Sequence, residues 1–286
     1  MNGKKIDKAD AKYLLLYLLK HFNEVCESAG IIYYASAGTC LGAIRHKGLI
    51  PWDDDIDCMM PRKYYDLFIS TCKKMLPPEL ILHTREEDPY FLCEYIKLCF
   101  KDDETEYSDI SLDVFFLDET NPKRTFFRAM QNRAHLNLYY LKAFKISRMK
   151  AGEAKYRPRN PFKYALLKFF SFVPLHTIDS LMNKVMFAEK RESTHYINWG
   201  SCHPYKKATY SKEVLGKAQK LPFENQYVWV AEHPEIILTQ LFTKNYMTPP
   251  PVEKRVDHGN RLLVNSRINM AAIREEIDNS PAISTL

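Results

Sequence analysis

Gly38-Thr39-Cys40-Leu41-Gly42-Ala43-Ile44-Arg45-His46-Lys47-Gly48-Leu49-Ile50-Pro51-Trp52-Asp53-Asp54-Asp55-Ile56-Asp57 is the stretch on which the fold turns. The apolar run before it, 31–35, predicts a buried strand. Gly38-Thr39 predicts a small turn, and 39–46 a short helix ending at three basic residues, Arg45, His46 and Lys47. Four Asp within five positions repel one another at neutral pH, so they need either solvent or a cation. Residues 55–60 read as a second strand stopped by Pro61. Side chains alternate along a strand, so Asp55 and Asp57 project from one face. That pair suits Mg²⁺, which takes one or two carboxylates together with substrate phosphates. Taken alone, an Asp-x-Asp more often describes a solvated acidic loop.

The surroundings favour the metal. Upstream, Asp7 is placed to cap a helix that runs to about residue 29, with Leu14, Leu15, Leu18, Leu19, Phe22, Val25 and Cys26 at helical spacing and Gly30 as its stop. Downstream, 62–76 reads as a helix broken by Pro77-Pro78, then come strands over 80–83, 91–100 and 110–117, with a polar turn at 101–104. Alternating helices and strands predict an α/β fold with a mixed sheet. Asp113 interrupts the apolar strand Ile110-Ser111-Leu112-Asp113-Val114-Phe115-Phe116-Leu117. An unpaired carboxylate inside a buried strand is costly, and a cation shared with Asp55 and Asp57 would remove the cost. A solvent-facing strand edge would explain Asp113 equally well. A small turn leading into a helix presents backbone amides to a phosphate. Three carboxylates from neighbouring strands are the set used in two-metal attack on phosphorus.

In this order, Ala37-Gly38-Thr39, Asp55-Ile56-Asp57-Cys58 and Leu112-Asp113-Val114 resemble the pattern of the nucleotidyltransferase fold. More specifically, 38–61 is similar to the LicD family of phosphocholine transferases, which includes the fukutin-type ribitol-phosphate transferases. The similarity continues through Leu112-Asp113-Val114-Phe115-Phe116-Leu117-Asp118, where the family more often has Pro in place of Phe116. It returns weakly over 223–258, at Tyr246-Met247-Thr248-Pro249-Pro250 and His258.

The resemblance implies a nucleotidyltransferase-like mixed sheet flanked by helices, with a CDP-activated alcohol as donor. A hydroxyl of a glycan or lipid-linked glycan would attack the phosphorus bearing the alcohol, and CMP would leave. It implies Asp55, Asp57 and Asp113 as ligands of Mg²⁺ or Mn²⁺, with Asp113 able to take the proton of the hydroxyl. Gly38 and Thr39 would form the phosphate turn. Arg45, His46 and Lys47 would steady the diphosphate, although a solvated helix end explains these three equally well. Trp52 would stack on cytosine or, the favoured reading, staple the loop. His258 is a candidate neighbour of the site.

The chain has 286 residues, enough for one large domain with elaborations. Its expected parts are a catalytic core over 1–120, a basic helical region over 121–192, and a mixed α+β region over 193–286 packing on the core. Seven Cys without a CxxC pair argue against a zinc site or a disulfide framework and favour a reducing cytosol. The N-terminus leads into no signal-peptide core, and no apolar run is long enough to span a bilayer. A cytoplasmic enzyme, peripheral at the inner face of the membrane, is the expectation.

Residues 120–176 carry thirteen Lys and Arg and one acid, Glu153, so the remainder of this chain of net charge +6 is acidic. Two helices are expected there, over 122–149 and 161–190. Such a block implies a polyanionic neighbour: anionic lipid, acidic glycan or nucleic acid. No nucleic-acid motif is present, and Leu166, Leu167, Phe169, Phe170, Phe172 and Val173 make an apolar patch suited to an interface. Two other readings stay open: nucleotide transfer from a nucleoside triphosphate, and a non-catalytic basic module that binds membrane or nucleic acid.

Overall fold

The structure, a computed structural model, describes residues 4–101, 110–122, 125–149, 158–186, 193–201, 203–255, 263–264 and 268–280. The chain divides into two compact units. The first comprises Met1–His83, Tyr95–Phe116 and Lys212–Leu286, the second Thr84–Glu94 and Leu117–Ser211.

The first unit opens with β1 (Lys4–Lys5), α1 (Lys8–Ala29), β2 (Tyr34–Ala35), α2 (Ala37–Arg45), β3 (Ile56–Pro61), a 3₁₀ turn, α3 (Tyr65–Met75) and β4 (Leu80–His83). Asp7 caps α1, its carboxylate accepting from the Asp10 amide at 2.8 Å. Gly30 closes the helix at φ 63°. The Ile31 amide then bonds back to the Cys26 carbonyl at 2.8 Å. That closing turn consumes the start of the expected strand, which shortens to Tyr34–Ala35. The expected turn at Gly38-Thr39 is also corrected: both residues lie inside α2, which begins at Ala37.

After β4 come β5 (Ile96–Phe100) and β6 (Ser111–Thr120). The expected strand over 91–100 thus starts five residues late. The Phe91 amide is engaged in a local turn with the Asp88 carbonyl at 2.9 Å. The sheet order is β2-β3-β6-β5-β4, so β3 and β6, the two strands of the acidic residues, are neighbours. β5 runs antiparallel to β6 with Lys97 opposite Asp113. Buried Leu14, Leu18, Phe22, Ile56, Phe68 and Leu112 belong to one apolar core.

The second unit carries α4 (Thr125–Met149), α5 (Pro161–Phe170), α6 (Leu175–Met186), β7 (His195–Asn198), α7 (Tyr205–Ala208) and β8 (Thr209–Ser211). β7 pairs antiparallel with residues 117–120 of β6 and with β8. Three helices replace the expected two, because Pro174 cannot continue α5. Its carbonyl instead receives the Thr177 and Ile178 amides, each at 3.1 Å, as α6 begins. Leu141, Phe144, Leu167, Ile178 and Met182 form this unit's own core. Part of the basic block is internal to it. Lys142 is buried, with its ammonium 2.8 Å from the Phe91 carbonyl and 2.9 Å from Asp179. Lys145 bonds the Ser171 and Val173 carbonyls at 2.9 and 2.8 Å.

The chain then adds α8 (Lys212–Leu215), β9 (Gln219–Phe223), β10 (Gln226–Val230), α9 (Pro234–Phe242), β11 (Leu263–Val264) and α10 (Met270–Asp278) to the first unit. β9 and β10 form an antiparallel hairpin. Among the described residues, no helix is long and apolar enough to cross a membrane.

Candidate active site

Asp57 stands in β3, and Asp55 just before it, on either side of buried Ile56. Asp113 is 4% exposed in the middle of β6. One carboxylate oxygen from each of the three lies within 4.8 Å of the others. Asp53, Asp54 and Asp55 make a second such group on the loop before β3.

Asp113 does not face solvent, and it is not unpaired. Lys97 on the adjacent strand reaches it with its ammonium at 2.9 and 3.1 Å from the two carboxylate oxygens. The Ser111 hydroxyl donates to Asp113 at 2.7 Å and accepts from Lys97 at 2.8 Å. Sequence reasoning missed Lys97. Its signal was the one that flagged Asp113: a lone charge inside an apolar strand, Ile96-Lys97-Leu98.

Burial, then the Asp53 and Asp113 charges, push the Asp55 carboxyl up to about 7, against an opposing pull from Lys97. Burial, then Asp55 and Asp113, hold Asp57 well above the ordinary carboxyl range. Three carboxylates against one ammonium leave an excess of two negative charges. An oxygen-only donor set with that excess fits one hard divalent cation.

The loop between α2 and β3 is shaped by close approaches. A Cβ on Gly42 would overlap the Gly48 carbonyl, and one on Gly48 would overlap the Glu224 carboxylate. Glu224, at φ 56° in the β9–β10 turn, accepts from the Leu49 amide at 3.1 Å and from Lys12 at 2.7 Å. Its own amide donates to the Lys47 carbonyl at 2.8 Å. The hairpin tip thus presses 47–49 onto α2 and fixes where Trp52 and the acidic run begin.

A cavity of about 860 Å³ in the first unit is lined by Gly38, Arg45, Trp52, Asp53, Asp54, Asp55 and Asp57, and by Lys97, Lys254 and Arg255. Gly38 is required by proximity, because a side chain there would strike the Asp53 carboxylate. Ala37 beside it sits at φ 40°, a strained conformation for a residue with a Cβ. Thr39 is buried and accepts the Asp57 amide on its hydroxyl at 2.8 Å, so it fixes the backbone of a carboxylate.

Arg45 donates to the Tyr246 carbonyl at 2.7 Å. Arg255 stacks over Trp52 at 4.2 Å, with Arg45 5.9 Å from the same ring. Burial and the Arg255 charge lower the Arg45 guanidinium from its ordinary value. Two guanidinium groups brought to one ring make an anion-attracting wall. Both guanidinium groups thus lie over the Trp52 ring. His46 meets Trp52 edge-on, and burial and the Arg45 charge lower its imidazole from the ordinary value. Lys47 is exposed at φ 58° and does not line the cavity. His258 lies outside the described residues. Arg255 and Lys254 were not foreseen, since no local pattern marks them.

Residues 30–160 match the family model described as LicD/FKTN/FKRP, nucleotidyltransferase domain. The chain is 45% identical over 67 residues to the lipopolysaccharide cholinephosphotransferase LicD of Haemophilus influenzae, covering 23% of this chain and 25% of that protein. It is 46% identical over 55 residues to an uncharacterized protein of Rickettsia prowazekii, 19% of this chain and 21% of that one. An uncharacterized protein of Rickettsia typhi is 44% identical over 55 residues, 19% of this chain and 18% of its own. The similarity therefore spans a quarter or less of each relative's length. Over residues 30–160, the chain is therefore similar to the nucleotidyltransferase domain of the LicD/FKTN/FKRP family.

Proposed function

We propose that this chain is a divalent-metal-dependent transferase. It moves a phospho-alcohol, phosphocholine-like or a polyol phosphate, from a CDP-activated donor to a hydroxyl of a cell-surface glycan or its lipid-linked precursor. The observation that carries the reading is one cavity bounded by Asp55 and Asp57 and by Arg45, Lys254 and Arg255. A metal–diphosphate substrate has both signs of charge to offer such a cavity.

Asp55, Asp57 and Asp113 would hold the Mg²⁺ or Mn²⁺, which would supply Lewis-acid stabilisation of charge on the phosphoryl oxygens. Lys97 and Ser111 fix Asp113, and Thr39 fixes the backbone of Asp57. Arg45 and Arg255 bind the diphosphate, and Gly38 lets the donor approach the start of α2. The glycan oxygen forms its bond to the phosphorus bearing the alcohol while the bond to the CMP oxygen breaks. Asp113 accepts the hydroxyl proton. The relative named as a lipopolysaccharide cholinephosphotransferase supports a phosphocholine-type group and a glycan acceptor.

The same residues would serve attack at the α-phosphorus of a nucleoside triphosphate, and the leaving product separates the two reactions. Purified protein with Mg²⁺ and a glycan acceptor is incubated with CDP-choline, CDP-ribitol, CDP-glycerol or CTP. The proposal expects CMP from one CDP-alcohol. Pyrophosphate from CTP, with no CMP from any CDP-alcohol, would replace it with nucleotide transfer.

A further inference from the structure

We infer that α5 and the turn after it form a docking surface for an anionic lipid membrane. Leu167 points into the core of the second unit with Leu141 and Phe144, which anchors the helix. Its other side is apolar and open. Phe162 is 77% exposed, Phe169 69% and Phe172 73%, with Leu166 and Phe170 also exposed. Positions 162, 166 and 169 repeat at helical spacing, so they share a face. The Phe169 ring meets those of Phe170 and Phe172 at 5.1 and 6.4 Å, making one continuous aromatic cluster. The helix is well founded: the Asn160 carboxamide oxygen accepts from the Phe162 and Lys163 amides at 2.9 and 3.2 Å, and Pro161 opens the first turn.

Charge selects the partner. No acid occurs between Glu153 and Asp179. Arg159 and Lys168 are exposed, and the Lys163 ammonium lies 3.6 Å from the Tyr140 ring centroid. Exposed Phe flanked only by cations is the composition of a helix that lies in the headgroup plane of an anionic leaflet. At ten residues, about 15 Å, α5 is too short to cross. The inference is independent of the transfer chemistry, because its test reads no turnover.

The full chain is sedimented with vesicles of phosphatidylcholine, alone or mixed with phosphatidylglycerol. We expect binding to the mixed vesicles that falls as salt rises, and little to the neutral ones. Phe169→Ala/Phe172→Ala should weaken binding by roughly tenfold or more, and Lys168→Ala by roughly fivefold. Both variants should keep the wild-type melting temperature, because the altered side chains are exposed. Equal recovery in the supernatant with both vesicle types would overturn the inference. So would undiminished binding by the double variant. A dimer that the double variant dissociates, with no vesicle binding, would assign this face to a second copy of the chain.

Discussion

Asp55 and Asp57 ionise where ionisation is costly, and that cost gives them a testable signature. The unfolded chain loses the Asp55 proton near 3.8, whereas the folded protein keeps it up to about 7. Raised carboxyl pKa values favour the folded state below the unfolded value, and the benefit is lost as pH climbs through the folded one. The metal-free protein should therefore lose stability between about pH 4 and 7. A divalent cation replaces the proton, so the rise in melting temperature caused by Mg²⁺ should be larger at pH 8 than at pH 5. Asp57→Asn should melt higher than wild type in chelator at pH 8 and show no Mg²⁺ increment. An increment equal at both pH values would contradict this account. Lys97→Met leaves Asp113 buried without its ammonium. It should cost roughly 2–3 kcal/mol in chelator, moderated by the partial exposure of Lys97. Denaturant titration should show Mg²⁺ restoring part of that loss. The acidic residues were legible because charge inside an apolar strand is conspicuous. Lys97 offered the same signal, but its meaning depends on a register that puts it opposite Asp113.

At the scale of elements, caps and breakers were legible where their chemistry is local. Asp7 and Gly30 bound α1 as expected, and Pro234 opens α9. Pro174 was equally visible in the sequence, yet the apolar periodicity on either side of it suggested one helix. β9 was hidden for a physical reason. Gln219-Lys220-Leu221-Pro222-Phe223 has a proline, which a strand paired on one side only can tolerate. That hairpin positions the loop before the acidic run, so its geometry should be felt at the site. Gly42→Ala would drive a methyl into the Gly48 carbonyl. We expect a loss of about 1–3 kcal/mol in urea unfolding. A higher KM for the donor should accompany it, because Arg45 and Trp52 sit at the two ends of the displaced loop. Wild-type stability in this variant would show that the loop yields without cost.

At the scale of the molecule, the two units are assembled from segments far apart in sequence. Residues 84–94 join the second unit and 212–286 return to the first. Periodicity reports which face of an element is buried, not what buries it, so Arg255 beside Trp52 could not be read from sequence. Neither could the role of Lys142, a residue of the basic block that is an internal ion-pair partner of Asp179. Lys142→Met should destabilise the second unit by about 3–5 kcal/mol, seen as faster proteolysis within 84–94 or 117–211. Equal protease resistance would deny it a structural role.

The central claim is that Asp55, Asp57 and Asp113 hold a divalent cation and thereby transfer a phospho-alcohol. It is tested most directly by CMP release from the CDP-alcohol panel, with wild type and Asp57→Asn, in Mg²⁺ and in excess chelator. The account predicts release by wild type only with the metal, and a loss on the order of a thousandfold or more in the variant. Undiminished CMP release in excess chelator, or by Asp57→Asn, would contradict it.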